Sequence, residues 1–137
     1  MSDWNAGVIQ EFRKNKGKVG GNFEGAPLLL INHTGARTGK SRTNPVMYLK
    51  DGHRYLVFAS KGGAPTNPDW YHNLKAHPEV KIEVGNETIE VRAEELIGSE
   101  REKIYARQAK LYPQFAQYQK QTKRIIPIIA FTPKAKR

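Results

Sequence analysis

The dipeptides Asp51-Gly52 and Gly85-Asn86 are the features that most constrain the fold of this chain. Each of them separates two apolar runs. These runs are 44–50 and 53–59 around the first dipeptide, and 79–84 and 87–96 around the second. Glycine tolerates the positive φ that a tight hairpin turn requires. We therefore predict two β-hairpins and a sheet that is chiefly antiparallel.

The remaining segments complete a pattern of strands and helices. Further strands are predicted over residues 27–34 and 125–131. Helices are predicted over 3–14, 69–76, 99–111 and 113–122, the third of them capped by Ser99. In 137 residues, six strands fit a small barrel or a strongly curled sheet flanked by helices. The predicted fold class is therefore mainly β, with about six mostly antiparallel strands.

The chain is long enough for one domain, to which we assign an appendage at each end. Residues 1–25 are predicted to form an amphipathic helix and a mobile linker, residues 26–133 the barrel, and residues 134–137 a basic tail. Four glycines lie between the first helix and the barrel, so we expect this helix to be a mobile lid rather than core. Its apolar face and basic flank also allow contact with an anionic membrane surface.

Composition limits the chemistry available to the chain. The absence of Cys excludes a disulfide scaffold, a thiol nucleophile, an iron–sulfur cluster and a Cys-type zinc site. The four His show no metal-ligand spacing. Because the sequence shows neither an apolar run of about 18 residues nor a signal peptide, we expect a cytoplasmic protein. The net charge of +10 favours an anionic partner, which leaves nucleic acid, an acidic membrane and a phosphorylated cofactor open.

A basic turn follows the first predicted strand. Residues 35–41 lack the spacing of a nucleotide-binding P-loop, because Thr34 stands where the first glycine of that motif belongs. The turn still offers backbone N–H groups together with Arg37, Lys40 and Arg42, which suit an anion.

A second glycine-containing loop follows the predicted strand that ends at Ala59. Its paired glycines Gly62 and Gly63 allow close approach of the backbone to a ligand, while Ser60 adds a hydroxyl and Lys61 a charge. Since two such loops end successive parts of one small sheet, we predict that they share an anionic ligand.

The aromatic residues Tyr112, Phe115 and Tyr118 recur at helical spacing. Such a stripe is usually core, but tyrosine hydroxyls also suit the wall of a pocket for a planar substrate. Trp70 and Leu74, four residues apart on a short predicted helix, are interpreted as core.

Several motifs of this chain occur together between residues 27 and 133. They are Leu28-Leu29-Leu30, Thr34-Gly35, Arg37-x-Gly39, Arg42-Thr43-Asn44-Pro45, Ala59-Ser60-Lys61-Gly62-Gly63-Ala64, Pro68-x-Trp70-Tyr71-His72-Asn73-Leu74, Pro78 and Tyr112-Pro113. Taken together they resemble the deazaflavin-dependent nitroreductase family. The resemblance implies a split β-barrel, akin to the FMN-binding split barrels, that binds the 8-hydroxy-5-deazaflavin coenzyme F420. Members of that family pass the hydride of F420 to quinones, and some reduce nitroimidazoles.

The resemblance also implies roles for individual residues. The cofactor-binding residues it implies are Arg37, Thr38, Lys40, Arg42, Asn44, Pro45, Met47, Ala59, Ser60, Lys61, Gly62, Gly63, Ala64 and Trp70. Among these, Arg37, Arg42 and Lys61 match positions that hold the anionic tail. The acceptor side is implied to comprise Trp4, Ser60, Tyr112, Phe115 and Tyr118. Ala36 and Phe115 depart from the nitroimidazole-activating member, which has a basic residue and a tyrosine there, so we expect quinones to be better acceptors.

The implied chemistry explains why no catalytic triad or metal is required. A deazaflavin carries its own hydride, and the protein supplies orientation and electrostatics. Ser60, Tyr112 or Tyr118 would stabilise negative charge that develops on the acceptor oxygen, as catalytic residues. The expected acceptor is menaquinone-like or nitroaromatic. Alternatives are the same barrel binding FMN, a basic nucleic-acid-binding module, and a cofactor carrier or heme-type binder without turnover.

Overall fold

The structure is a computed structural model of the chain, and it describes residues 3–20 and 27–134. The elements, in chain order, are α1 (Asp3–Lys14), β1 (Leu28–Thr34), β2 (Ser41–Asp51), β3 (Arg54–Phe58), α2 (Asp69–Ala76), β4 (Glu79–Val84), β5 (Glu87–Leu96), α3 (Gly98–Leu111), α4 (Gln114–Gln121) and β6 (Ile128–Pro133). A short 3-10 turn, Lys61–Gly63, lies between β3 and α2.

The six strands form a closed barrel in the order β1-β2-β3-β6-β5-β4, in which every neighbouring pair is antiparallel. Both predicted hairpins are present, since Asp51 pairs with Arg54 and Val84 with Glu87 across their turns. The prediction of a small, mainly β barrel with flanking helices is therefore confirmed.

Three predicted features of the element ends are wrong in ways that have a clear physical reason, and the other ends differ by at most two residues. Strand β2 begins at Ser41 rather than at residue 44, because its first residues continue the antiparallel ladder with β1. Strand β6 begins at Ile128 rather than at residue 125, since the carbonyl oxygen of Ile126 accepts hydrogen bonds from Arg101 of α3 instead of joining the sheet. Ser99 lies inside α3, which begins at Gly98, and makes no capping hydrogen bond.

The barrel interior is filled by side chains from all six strands. Its buried members are Leu29, Ile31, Val57, Ala59, Trp70, Leu74, Val80, Ile82, Val91, Ile129 and Phe131. Trp70 and Leu74 come from α2, which confirms their interpretation as core and shows that this helix covers part of the interior. Helices α3 and α4 pack outside the barrel, where Tyr105 and Phe115 join Phe58 in an aromatic cluster.

Helix α1 is part of the core, so the expectation that it lies outside the core as a lid is wrong. Val8, Ile9 and Phe12 pack with Leu28, Leu30 and Met47 of β1 and β2, and Phe12 is only 1% exposed. The side chain of Arg13 also forms a two-pronged ion pair with Glu83 of β4 at 2.7 and 3.0 Å. Burial of an apolar helix face on this scale stabilises the helix in its position.

The two predicted appendages are only partly described. The linker is described as far as residue 20, where Val19 is buried, and residues 21–25 lie outside the described part. In the tail, Lys134 forms an ion pair with Glu79, and residues 135–137 lie outside the described part. No helix among the described residues is long and apolar enough to cross a membrane.

Candidate active site

A cavity of about 750 Å³ opens where β2, the loop after β3, and helices α2 and α4 meet. Its lining residues are His33, Arg42, Thr43, Asn44, Pro45, Val46, Met47, Phe58, Ser60, Lys61, Pro68, Asp69, Trp70, Gln114, Phe115 and Tyr118. The lining therefore combines polar and charged side chains with the aromatic side chains Phe58, Trp70, Phe115 and Tyr118. This combination suits a planar ligand with polar edges.

The structure brings many of the predicted site residues together around this cavity. Those that line it are Arg42, Asn44, Pro45, Met47, Ser60, Lys61, Trp70, Phe115 and Tyr118. Arg37, Thr38 and Lys40 lie in the exposed turn between β1 and β2 and do not line it. Tyr112 is also absent from the lining and packs against Phe115 with ring centroids 6.4 Å apart. The side chain of Trp4 lies outside the described part.

The remaining predicted residues, Ala59, Gly62, Gly63 and Ala64, belong to the loop that follows β3. Ala59 is fully buried at the end of β3, and Gly62 and Gly63 form the short 3-10 turn that is followed by Ala64. Gly63 has a φ of +84°, and a Cβ there would lie 3.1 Å from the Cα of Tyr118. Helix α4 therefore packs directly on this turn, because the turn carries no side chain at that point.

The basic turn and the edge of the cavity together carry four basic residues. Among the described residues, no ion pair involves Arg37, Lys40, Arg42 or Lys61. In contrast, seven other basic residues pair with carboxylates, namely Arg13, Arg54, Lys75, Arg92, Arg101, Arg107 and Lys134. The basic turn and the cavity edge thus hold positive charge that a polyanionic ligand would neutralise.

Arg124 is a site residue that the sequence analysis missed. Its guanidinium donates hydrogen bonds to the carbonyl oxygens of Ala64 (3.0 Å), Ala59 (3.0 Å) and Ser60 (2.8 Å), and to Oδ1 of Asn67 (2.7 Å). All four acceptors are neutral. These hydrogen bonds therefore hold the loop in place without neutralising the positive charge of Arg124. Burial lowers the pKa of Arg124. In the sequence it is one cation in a basic run, and no local pattern distinguishes it.

The sequence analysis also did not identify a series of hydrogen bonds between buried side chains. The backbone N–H of Ala36 donates to Oδ1 of Asn73 (2.8 Å), Nδ2 of Asn73 lies 3.1 Å from Nδ1 of His33, and Nε2 of His33 lies 2.7 Å from Oδ1 of Asn44. This chain of hydrogen bonds connects the basic turn, helix α2, strand β1 and the cavity wall. Burial lowers the pKa of His33 and so favours its neutral form.

The site fits coenzyme F420 in shape and charge. A tricyclic ring suits a cavity whose lining includes several aromatic side chains, and an anionic tail suits the cations of the basic turn and Lys61. Among the described residues, no cluster of three or more His, Cys, Asp or Glu side chains is suited to a metal ion.

The closed six-stranded barrel with its flanking helices is a split-barrel fold. The heme storage protein HutZ of Vibrio cholerae has the same fold, with a TM-score of 0.60, 14% identity, and coverage of 93% of this chain and 89% of that one. At that identity the likeness concerns the fold alone.

A model of the F420H(2)-dependent quinone reductase family matches residues 5–133, and the chain belongs to this family. An F420H(2)-dependent quinone reductase of Mycobacterium tuberculosis is 39% identical over 127 residues, which is 88% of this chain and 84% of the relative. A solved F420-H2 dependent reductase has a TM-score of 0.70 and 40% identity, and covers 77% of this chain and 93% of its own. The predictions of family, enzyme class and cofactor are confirmed, and neither the FMN-binding nor the nucleic-acid-binding alternative is favoured.

Proposed function

We propose that this protein reduces a quinone-type acceptor with a hydride from F420H2 inside the 750 Å³ cavity. The observation that carries the proposal is that one cavity is lined both by two cations, Arg42 and Lys61, and by aromatic side chains that include Phe115 and Tyr118. When bound, F420H2 supplies the hydride. The protein supplies the position of donor and acceptor and the polar groups around them.

Each group of residues has a distinct part in this proposal. The basic turn with Arg37, Lys40 and Arg42, together with Lys61, holds the anionic tail by charge-assisted hydrogen bonds. Arg124 keeps the loop from Ala59 to Ala64 in one conformation, so that its backbone faces the ring. Fixed contacts of this kind lower the entropic cost of bringing the ring and the acceptor into a reactive arrangement.

The acceptor occupies the side of the cavity formed by helix α4. Phe115 is buried and supplies an apolar face, whereas Tyr118 is half-buried and carries a hydroxyl at the cavity. That hydroxyl donates to the oxygen on which negative charge develops during hydride transfer. Ser60, on the loop after β3, is a second donor. Because Phe115 has no hydroxyl, we expect menaquinone-like acceptors to be reduced faster than bicyclic nitroimidazoles.

We propose that quinone reduction does not require helix α1 as a membrane anchor. The apolar residues Val8, Ile9 and Phe12 face the barrel and are buried there. We therefore expect reduction of short-chain quinones in free solution, with no requirement for lipid.

The test combines a binding and a turnover measurement on the same preparation. Fluorescence titration with oxidised F420, with flavin mononucleotide and with short DNA in parallel should show binding of F420 alone. Oxidation of F420H2, followed by absorbance, should accelerate when a menaquinone analogue is added. Binding of F420 without quinone reduction would contradict the assigned acceptor, and tighter binding of flavin mononucleotide would contradict the cofactor assignment.

A further inference from the structure

The buried chain from Ala36 to Asn44 fixes which atoms of its side chains carry hydrogens. A backbone N–H is always a donor, so the Asn73 atom that receives it from Ala36 is the oxygen Oδ1. The other end of that amide, Nδ2, is then the donor toward Nδ1 of His33. The orientation of the Asn73 amide is therefore determined by its main-chain partner.

The next two steps follow from the same reasoning. Since Nδ1 of His33 accepts, the proton of the neutral ring is on Nε2. Nε2 then donates to the atom of Asn44 that lies 2.7 Å away, which is Oδ1. The Asn44 amide thus turns its oxygen toward His33, and its NH2 group is the polar end left for the cavity that Asn44 lines.

We propose that Asn73 and His33 are positioning residues that lock the amide of Asn44 so that its NH2 group faces the cavity and recognises a hydrogen-bond acceptor on the ring of the bound cofactor. The inference rests on the proposed function and adds a specificity element to the same site. The recognised group is a ring carbonyl oxygen or a ring nitrogen with a free lone pair. A reversed amide would present an oxygen to that group and repel it.

The same chain coordinates the two halves of the site. Asn73 holds the basic turn through the N–H of Ala36 and holds the ring site through His33 and Asn44. It is 6% exposed, and His33 is 3% exposed, so the hydrogen bond between these two side chains is shielded from water. One side chain on α2 therefore sets the relation between the turn that binds the tail and the wall that binds the ring.

The proposed hydrogen-bond chain from Asn73 through His33 to Asn44 is tested first in the protein without cofactor. Nitrogen-15 NMR of wild-type protein at neutral pH should show His33 neutral, with Nε2 protonated and Nδ1 unprotonated. A neutral ring with the proton on Nδ1, or a doubly protonated ring, would overturn the proposal. This measurement requires no variant and no activity.

The recognition is tested by titration with oxidised F420. The side-chain NH2 signals of Asn44 should shift on binding, and Asn44→Asp, which keeps the shape but removes the donor, should raise Kd about tenfold or more. His33→Phe should raise Kd about threefold to tenfold, with His33→Gln, which keeps a donor, closer to wild type. His72→Phe, at the exposed neighbour of Asn73, is the matched control and should leave Kd unchanged.

The outcomes separate this proposal from the proposed function. Unshifted Asn44 NH2 signals, together with wild-type Kd in Asn44→Asp, would overturn the recognition while leaving the enzyme intact. Wild-type protein that binds no F420 would overturn the proposed function. The tautomer of His33 would still decide whether Asn73 and His33 orient the Asn44 amide as proposed.

Discussion

Lys61 combines two properties that are seldom found together at a surface position. It lines the cavity and also adopts a positive φ of +48°, in the left-handed region that disfavours residues with a Cβ. Its Nζ lies 3.3 Å from the hydroxyl of Thr66. Because backbone strain of this kind is concentrated at functional sites, we expect the side chain of Lys61 to have a function in the loop that we propose binds the cofactor.

Two substitutions at Lys61 distinguish the effect of its charge on binding from the effect of its backbone strain on stability. Both Lys61→Ala and Lys61→Gly should weaken F420 binding by a similar factor, because each removes a cation that contacts the anionic tail. Lys61→Gly should be more stable than Lys61→Ala by about 0.5–1 kcal/mol, since glycine relieves the left-handed strain and loses part of that gain to chain entropy. Urea unfolding and F420 titration of both variants measure the two effects. Equal stability of the two variants would contradict the strain argument.

The two tyrosines of α4 and the preceding turn are predicted to differ in function. Tyr118 lines the cavity, whereas Tyr112 packs against Phe115 outside its lining. Tyr118→Phe should lower the turnover of a menaquinone analogue by about 10²-fold, with little change in F420 affinity. Tyr112→Phe serves as the control and should turn over at close to the wild-type rate. Equal losses in the two variants would show that packing, rather than a hydroxyl at the acceptor, is responsible.

Helix α4 and the 3-10 turn behave as one packed unit because Gly63 lets them approach each other. A Cβ at Gly63 would lie 2.5 Å from Oε1 of Gln121 and 3.1 Å from both Cα and O of Tyr118. The displacement of α4 needed to relieve this overlap would move Tyr118, so the loop that we propose binds the cofactor is coupled to the side that we propose binds the acceptor.

Gly63→Ala should therefore destabilise the protein more than backbone strain alone can explain. Gly52 has a φ of +60°, and a Cβ at this position would meet no heavy atom within 4 Å, so Gly52→Ala measures the strain by itself, about 1–2 kcal/mol. Gly63→Ala should cost about 1–3 kcal/mol more, because it also overpacks the contact with α4. Thermal and urea unfolding of the two variants give the difference. If both variants lose the same stability, α4 accommodates the methyl group without cost.

The strands were predictable to the extent that short-range signals determine them. Asp51-Gly52 and Gly85-Asn86 specify their hairpins locally, and both hairpins are present. The position of α1 was not predictable, because its spacing marks an apolar face but does not say what covers it. Phe12 and Met47 belong to one apolar cluster although they are far apart in the sequence.

The site was predictable where residues of one loop act together, and not where distant residues meet. Ser60 and Lys61 are neighbours in the sequence and both line the cavity. Arg124 reaches Ala59 across 65 positions, and Asn73 reaches His33 across 40. Such partners depend on closure of the barrel and on the docking of helices, so no spacing in the sequence reveals them.

At the scale of the whole molecule, the ion pair between Arg13 and Glu83 joins the first helix to the barrel. The hydrogen bonds from Arg13, followed by the one from Asn32, hold the pKa of Glu83 below its ordinary value of 4.5. The folded state then binds fewer protons than the unfolded state near this pH, so the pair stabilises the protein above about pH 4.5 and loses its effect as the pH falls through the lower folded pKa.

Glu83→Gln should therefore flatten the decline in stability on acidification. The free energy of unfolding, measured by urea at several pH values below 5, should fall less steeply in Glu83→Gln than in the wild type. Glu87→Gln, at an exposed strand end that forms no ion pair with the described residues, is the control and should follow the wild type. A wild-type slope in Glu83→Gln would show that other carboxylates determine the acid limb, Asp51 being one whose pKa is also lowered, by Arg54.

The excess of positive charge, +10 for the chain, predicts how the affinity for F420 depends on salt. Arg37, Lys40, Arg42 and Lys61 are exposed, so their attraction to the anionic tail is screened by ions in solution. Raising the ionic strength from about 0.01 to about 1 M shortens the Debye length from about 30 to about 3 Å, and Kd for F420 should rise accordingly.

A deazaflavin that lacks the phosphate and its tail should bind with a Kd nearly independent of salt, because only the ring contacts remain. The double variant Arg37→Ala with Lys61→Ala should bind F420 more weakly at low salt and show a shallower dependence. If salt changes neither the wild-type Kd nor its difference from the double variant, the tail is held by uncharged contacts and these cations have another purpose.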